Sequence, residues 1–313
     1  MNKTTQNQQT KTLIAEILVS QNIGFSLSYH IPAELYESCH SGTWVLVELG
    51  KKQVKGLVFN IYADASPHFK TKPVLSLLED TFSISKEHLN CCLWFQHYYQ
   101  LTPAIALKTV IGAPLSYKEH PHKKEPFKQP NYTLTQTQQE AITRIDESKE
   151  QHHYLLGVTG SGKTDIYASL CEKMHQNNKQ SLILVPEIAL TSQIFNFFTE
   201  RFGDAVSILH SAMTPAQKRK AKQRIALGHS SVIIGARSAL FCPFLNLGLI
   251  IIDEEHEGSY KQNSHPRYLA HSVAKHLATC WKAKVVFGSA TPSLDTLHHI
   301  DDNHIIKLNE RIN

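Results

Sequence analysis

The stretch Gly157–Thr164 reads GVTGSGKT and decides the fold of the longer part of this 313-residue chain. It fits the pattern GxxxxGK[ST] in full, and it lies between a predicted strand, Tyr154–Val158, and a helix that we expect to begin near Lys163. Its three glycines allow the backbone to curl so that N–H groups face phosphates, and the helix N-terminus adds positive potential. The sequence therefore predicts a loop that binds ATP or a close relative.

Each residue of this loop has an expected role. Lys163 should reach the β- and γ-phosphates, and the Thr164 hydroxyl should bind Mg²⁺. The remaining phosphate contacts should come from Gly157, Val158, Thr159, Gly160, Ser161 and Gly162. ATP and Mg²⁺ are therefore the predicted cofactors.

A second set of polar residues follows the apolar run Leu249–Ile252. A buried parallel strand delivers the residues that follow it to the ligand-binding edge of an open sheet. There, Asp253 should hold Mg²⁺, and Glu254 should orient or deprotonate the attacking water. This acidic pair predicts the catalytic half of a nucleotide-hydrolysis site.

Three further residues are candidates for the same site. Ser289 and Thr291 follow another apolar run and offer hydroxyls that could bond to the acidic residues and sense the nucleotide state. Gln138 precedes Lys163 by 25 residues, and its amide has the donor and acceptor that an adenine edge requires.

The fold class follows from the spacing of short apolar runs after Thr133. Alternation of such runs with polar helical stretches predicts a mostly parallel sheet with helices on both faces, that is, an α/β lobe of the RecA-like type. The predicted strands are Tyr154–Val158, Leu182–Val185, Val206–Leu209, Val232–Ile234, Leu249–Ile252 and Val285–Phe287.

The first part of the chain has a different pattern. Leu13–Leu78 is β-rich, with strands expected in Thr43–Leu49 and Val54–Tyr62, and Lys86–Leu101 has helical spacing. The aromatic residues of that helix favour a core role over a stacking platform. We expect a disordered tail over residues 1–11, a small β-rich domain over 12–115, a linker over 116–132 and the α/β lobe over 133–313.

Composition and charge indicate which other classes of protein this chain could belong to. The net charge is +5, which permits a nucleic-acid partner. No segment has the ~18 consecutive apolar residues of a membrane span, and the polar N-terminus lacks a secretory core, so we expect a cytoplasmic protein. The six cysteines form no CxxC pair, so we expect no zinc site.

One basic stretch leaves two interpretations open. Thr214–Leu227 begins with a helix cap and carries five Lys and Arg residues. It could face DNA, but a solvated helix face is the simpler interpretation.

In order, the chain contains LTxxQ, GVTGSGKT, PEIALTSQ, GARSALF, DEEH, YKQ, PRY and GSATPS. This series resembles superfamily 2 helicases, and in detail the PriA family of bacterial primosomal replication-restart helicases. Leu269, His271 and Ser272 depart from the usual family pattern after PRY. We expect this chain to lack three elements of the family: the winged helix, the second motor lobe and the zinc module.

The resemblance implies a role for each matching residue. Gln138 contacts adenine, Lys163, Asp253 and Glu254 are catalytic, and coupling to DNA involves His256, Ser289 and Thr291. Residues implied to bind DNA are Gly50 and Lys72 in the β-rich domain, which would bind a 3′ end, and Arg237, Tyr260, Lys261, Arg267 and Tyr268 in the lobe. The aromatic residues would stack on bases in a sequence-independent way. Pro186–Gln193 and Gly235–Ser238 resemble family motifs that track the DNA backbone.

The implied function is an ATP-dependent 3′-to-5′ DNA helicase that recognises stalled forks and promotes primosome assembly. Its implied partners are forked and single-stranded DNA, single-stranded DNA-binding protein and the other primosome components. The alternative is a non-motor module that binds ATP and fork DNA without unwinding it.

Overall fold

A computed structural model describes residues 12–21, 23–64, 70–117, 127–128, 133–186, 192–298, 300–308 and 311. The predicted tail, residues 1–11, and most of the predicted linker lie outside these ranges. The chain divides into two compact units, Met1–Tyr117 and Lys118–Asn313.

The first unit contains a closed five-stranded barrel. Its spatial order is β1-β2-β5-β3-β4, so the sheet leaves no open edge. The hairpin between β3 and β4 turns at Gly50, whose φ of +62° suits glycine. The strands are β1 Thr12–Val19, β2 Leu27–His30, β3 Trp44–Leu49, β4 Lys52–Asp64 and β5 Lys72–Leu77.

Two helices, α1 (Lys86–Tyr98) and α2 (Pro103–Ala106), complete this unit. The Ser85 side chain caps α1 by accepting a hydrogen bond from the His88 N–H. On α1, Phe95 is fully buried, as predicted for a core residue, whereas Tyr98 is 58% exposed. The core prediction is therefore wrong for Tyr98, which lies on the outward face of the helix.

The second unit is built on a seven-stranded sheet with the order β12-β6-β11-β10-β7-β9-β8. Every neighbouring pair is parallel, which confirms the predicted fold class. All six predicted strands are present, and β12 was not predicted. The strands are β6 His152–Gly157, β7 Gln180–Leu184, β8 Val206–Leu209, β9 Val232–Gly235, β10 Leu247–Asp253, β11 Lys284–Ser289 and β12 Ile305–Leu308.

Helices cover this sheet and bury the apolar strand residues. They are α3 Gln136–Glu147, α4 Lys163–Gln176, α5 Ser192–Phe202, α6 Pro215–Ala226, α7 Ala270–Trp281 and α8 Leu294–His298. Reciprocal capping boxes begin α3 and α6, at Thr135 and Thr214 respectively. Within the described ranges, no helix is long and apolar enough to cross a membrane.

The described part of the predicted linker contributes to this unit. The Phe127 ring lies 4.7 Å from the Phe202 ring and 4.1 Å from the His175 ring, measured between centroids. Phe127 therefore packs against the core of the lobe, in contrast to the solvated connector expected from the composition of the segment.

Candidate functional site

The phosphate loop connects β6 to α4 and depends on glycine at three positions. Gly160 and Gly162 have φ values of +82° and +75°, in the left-handed region that L side chains rarely adopt. At Gly157 an added Cβ would lie 2.5 Å from the Ser161 Oγ and 3.3 Å from the Leu308 Cβ. The unpredicted strand β12 therefore closes one side of the loop.

Lys163 points into this loop. Its side chain is nearly buried, and its Nζ donates a hydrogen bond to the Gly157 carbonyl oxygen at 2.7 Å and lies 3.6 Å from a Glu254 carboxylate oxygen. The buried Ser161 hydroxyl has no hydrogen-bond partner among the residues that the structure describes. An anionic group in the loop would satisfy this hydroxyl and the ammonium group, so these residues fit a nucleotide phosphate.

Asp253 ends β10 and is held by Tyr167, whose hydroxyl donates to Asp253 Oδ1 at 3.0 Å. Burial raises the pKa of Asp253, and the neighbouring Glu254 carboxylate raises it further. Glycine at 288 is required for this contact, because an added Cβ would lie 1.8 Å from the Tyr167 hydroxyl oxygen. The Asp253 carboxylate and the Thr164 hydroxyl are hard oxygen ligands of the kind that Mg²⁺ prefers.

Glu254 adopts a strained backbone conformation, with φ of +43°. Its carboxylate is contacted by the Ser289 hydroxyl at 3.5 Å, and the His256 Nδ1 lies 2.7 Å from the same Ser289 oxygen. The Thr291 N–H donates to Ser289 Oγ at 3.0 Å. The three residues predicted to couple the site to DNA therefore meet beside the predicted water-activating carboxylate.

The Gln138 side chain is hydrogen-bonded within the protein. It is 3% exposed, its Oε1 accepts from the Thr135 N–H at 2.9 Å, and its Nε2 donates to the Gly162 carbonyl oxygen at 3.3 Å. An adenine contact would require the amide to rotate away from these partners. In this structure, Gln138 instead connects the start of α3 to the phosphate loop.

Glu255 has more side-chain contacts than any residue predicted for the site, yet the sequence did not single it out. Its carboxylate is fully buried. It accepts hydrogen bonds from the Ser293 N–H and the side chains of Ser293, Thr296, Tyr154 and His271. Burial raises the pKa of Glu255, but the hydrogen bonds outweigh this effect and lower the pKa to about 2. The only feature of the sequence that pointed to Glu255 was its position in an acidic run.

Two residues predicted to contact DNA form hydrogen bonds within the protein. Tyr260 is 1% exposed, and its hydroxyl lies 3.0 Å from the Leu184 carbonyl oxygen and 2.6 Å from the Asp253 carbonyl oxygen. The Tyr260 ring is therefore not exposed for base stacking in this structure, and its contact with DNA stays a prediction. Arg237 donates to the carbonyl oxygens of Ser259 and Lys261, so its guanidinium holds the loop around Tyr260 instead of pointing freely to solvent.

The other DNA-binding candidates of this loop differ in exposure. Tyr268 is buried and packs edge-to-face on Phe241, with 5.3 Å between centroids, so its predicted stacking on bases also stays a prediction. Lys261 and Arg267 are exposed on the loop. The predicted DNA-tracking segment Pro186–Gln193 lies mostly outside the described residues.

In the barrel, Gly50 and Lys72 lie together. The Lys72 Nζ donates to the Gly50 carbonyl oxygen at 2.9 Å and to a Glu48 carboxylate oxygen at 2.5 Å. The Tyr29 hydroxyl donates to the Glu48 carbonyl oxygen at 2.9 Å. The residues around Lys72 therefore form a small polar cluster on the surface of the barrel.

Among the residues that the structure describes, no cluster of three or more His, Cys, Asp or Glu side chains could hold a metal ion.

Two family profiles match the chain. The DEAD/DEAH box helicase profile matches residues 135–300, which is more than half of the chain, and the 3′DNA-binding domain (3′BD) profile of PriA matches residues 16–112.

Similar proteins include replication restart proteins from two bacteria. Replication restart protein PriA of Rickettsia conorii is 38% identical over 92% of this chain and 44% of that protein. The Bacillus subtilis protein of the same name is 41% identical over 68% of this chain and 28% of that protein. The chain thus spans less than half the length of these relatives. The solved structure of RecG bound to a three-way DNA junction is 25% identical, with a TM-score of 0.44, over 59% of this chain and 25% of that chain.

Proposed function

Because this chain belongs to the DEAD/DEAH box helicase family and corresponds to the N-terminal part of the replication restart protein PriA, we propose that it binds ATP with Mg²⁺ and recognises forked DNA during replication restart. The observation that carries the proposal is the Lys163 ammonium in a glycine-rich loop, 3.6 Å from Glu254. That cluster offers a cation, backbone N–H groups and two carboxylates to a Mg²⁺-bound triphosphate.

The chemical roles follow from this geometry. Nucleotide phosphates would replace the Gly157 carbonyl as the partner of Lys163, and Mg²⁺ would lie between the phosphates, Thr164 and Asp253. Glu254 would accept a proton from the attacking water, and its contact with Ser289 would report occupancy to His256 and Thr291. Mg²⁺ supplies charge neutralisation on the phosphates.

DNA recognition would use both units. In the barrel, the Lys72 cluster would take a 3′ strand end, and in the lobe the exposed Lys261 and Arg267 would contact the backbone of a single strand. We propose that the complete protein acts as a 3′-to-5′ helicase in the cytoplasm. Its partners would be single-stranded DNA-binding protein and primosome components.

A second candidate function is an ATP-dependent fork-binding module without unwinding activity. Among the described residues, no arginine forms a hydrogen bond or ion pair with Lys163, Asp253 or Glu254. An arginine finger contributes ~10³–10⁵ to the rate in phosphoryl-transfer systems. This chain alone would then bind nucleotide and DNA with slow turnover.

The test is ATP hydrolysis by the purified chain with and without forked DNA, alongside the Lys163→Ala variant. Hydrolysis that is stimulated by the fork and lost in the variant supports the motor function. Binding of both ligands without hydrolysis supports the fork-binding module. Failure to bind either ligand would overturn the proposed function.

A further inference from the structure

Four parallel strands end side by side at the edge of the sheet that holds the phosphate loop. Their spatial order is β10, β7, β9 and β8. The first ends in the acidic residues, and the next two lead into Pro186–Gln193 and Gly235–Ser238, the two segments predicted to track DNA. The fourth, β8, leads through His210–Met213 into α6. The start of α6 is therefore next in the row after the predicted DNA segments.

The strand ends in this row are in close contact. The Val185 N–H donates to the Gly235 carbonyl oxygen at 3.0 Å, which joins the end of β7 to the end of β9. An added Cβ at Gly235 would lie only 2.7 Å from the Leu209 carbonyl oxygen, at the end of β8. A strand of DNA that follows the first segments thus arrives directly at the start of α6.

Helix α6 is strongly basic, and no acidic residue of the helix balances its positive charge. Its sequence, PAQKRKAKQRIA, contains five basic residues and no acidic residue. Among the described residues, none of the five forms an ion pair. Like charges three or four residues apart on a helix repel one another, so this arrangement costs stability in the free protein and favours a polyanionic partner.

Four of the five basic residues divide into two groups, and the fifth, Lys222, is half-buried. Lys218 and Arg224 are used locally, because their side chains donate to the carbonyl oxygens of Ser211 and Asp204. Arg219 and Lys220 are exposed. They lie ~6–8 Å along the helix axis from its first residue, Pro215, since a helix rises 1.5 Å per residue.

We propose that α6 is a binding surface for the sugar-phosphate backbone of DNA, with Arg219 and Lys220 as its principal phosphate contacts. This inference rests on the proposed function and extends it to a surface outside the motifs of the family. Phosphate contacts position DNA without reading its sequence, so the surface extends the path of the strand and adds salt-dependent affinity.

The experiment compares two double variants of the full chain. Arg219→Gln/Lys220→Gln removes the proposed contacts. Lys149→Gln/Lys282→Gln removes the same charge from exposed positions just before β6 and β11, at the opposite edge of the sheet. Binding to fluorescent single-stranded, duplex and forked DNA is measured by anisotropy at several salt concentrations, with ATP affinity and Tm as controls.

The first variant should bind DNA about tenfold more weakly, and the slope of log K against log salt should fall by ~1.4 for single strands or ~1.8 for duplex, as expected for two lost phosphate contacts. The second variant should match the wild type. Equal effects of the two variants would overturn the inference. A wild-type chain without DNA affinity would instead refute the proposed function itself.

Discussion

The Tyr260 hydroxyl lies 2.6 Å from the carbonyl oxygen of Asp253, so the loop predicted to contact DNA is bonded to the end of the strand that carries the acidic residues. The same hydroxyl lies 3.0 Å from the Leu184 carbonyl oxygen, at the end of the neighbouring strand. Arg237 holds the loop on either side of Tyr260. A displacement of this loop would therefore be transmitted directly to the nucleotide site.

We predict that Tyr260→Phe lowers the free energy of unfolding by about 1 kcal/mol, because a buried carbonyl loses its donor while the ring still fills its place. The variant should also weaken the effect of DNA on ATP affinity, measured by titrating a fluorescent ATP analogue with and without single-stranded DNA. Tyr62→Phe, on the partly exposed face of β4, is the matched control. Identical stability and identical coupling in the two variants would contradict this role.

We predict that Glu255→Gln lowers stability by about 3 kcal/mol near neutral pH. The Gln amide can no longer accept from all the groups that surround the carboxylate, and a fall in the Glu255 pKa from 4.5 to about 2 on folding corresponds to a stabilisation of this size.

The lowered pKa of Glu255 also predicts how the free energy of unfolding depends on pH. A carboxyl whose pKa is depressed in the folded state stabilises the protein above its unfolded pKa, and this contribution disappears as the pH falls from about 4.5 to about 2. Urea unfolding at a series of pH values should show a smaller loss over this window in Glu255→Gln than in the wild type. Glu147→Gln, exposed at the end of α3, is the control and should keep the wild-type profile.

Asp253→Asn should stabilise the protein without ligand while it weakens binding of ATP with Mg²⁺. Burial and the Glu254 charge raise the pKa of Asp253, so its ionised form is unfavourable in the folded state, and a neutral isostere removes that cost. We expect a gain of about 0.5–2 kcal/mol, typical of substitutions that trade function for stability. Calorimetry with and without Mg²⁺ and ATP measures both effects. If Asp253→Asn instead lowers stability in the absence of ligand, the Asp253 carboxylate is stabilised by its neighbours in the folded protein, and the prediction is wrong.

Lys72→Ala should weaken binding to forks with an exposed 3′ end by about tenfold, or ~1.4 kcal/mol. The substitution leaves the Glu48 carboxylate without its cation beside the Gly50 turn, so a strand end would meet net negative charge. Lys52→Ala removes the same charge from the other side of this turn and should have little effect. Equal losses on forks with and without a 3′ end would argue against a strand-end pocket.

The sequence was sufficient for features that depend on local pattern. The strand before Gly157, the acidic residues after β10 and the parallel sheet all follow from runs of apolar residues and from motif spacing. The strand β12 was missed because its four residues, IIKL, have too little pattern to separate them from a loop.

The burial of several site candidates depends on tertiary contacts that the sequence does not show. Tyr260 and Tyr268 lie in a polar, aromatic segment that is typical of an exposed loop, but the fold turns both rings inward. Glu255 was passed over because an acidic residue beside two predicted catalytic carboxylates looks like part of a solvated run. Its significance appears only when α7, β6 and the segment from Ser293 to Thr296 are brought around it.

Binding of a fluorescent ATP analogue to the purified chain and to Lys163→Ala, with Mg²⁺ present, tests most directly whether the loop of Gly157–Thr164 is a nucleotide site. The account predicts saturable binding by the wild type and, because Lys163 is the buried cation of the loop, loss of that binding in a variant that keeps the wild-type Tm. Equal affinity of the two proteins for the nucleotide would contradict it.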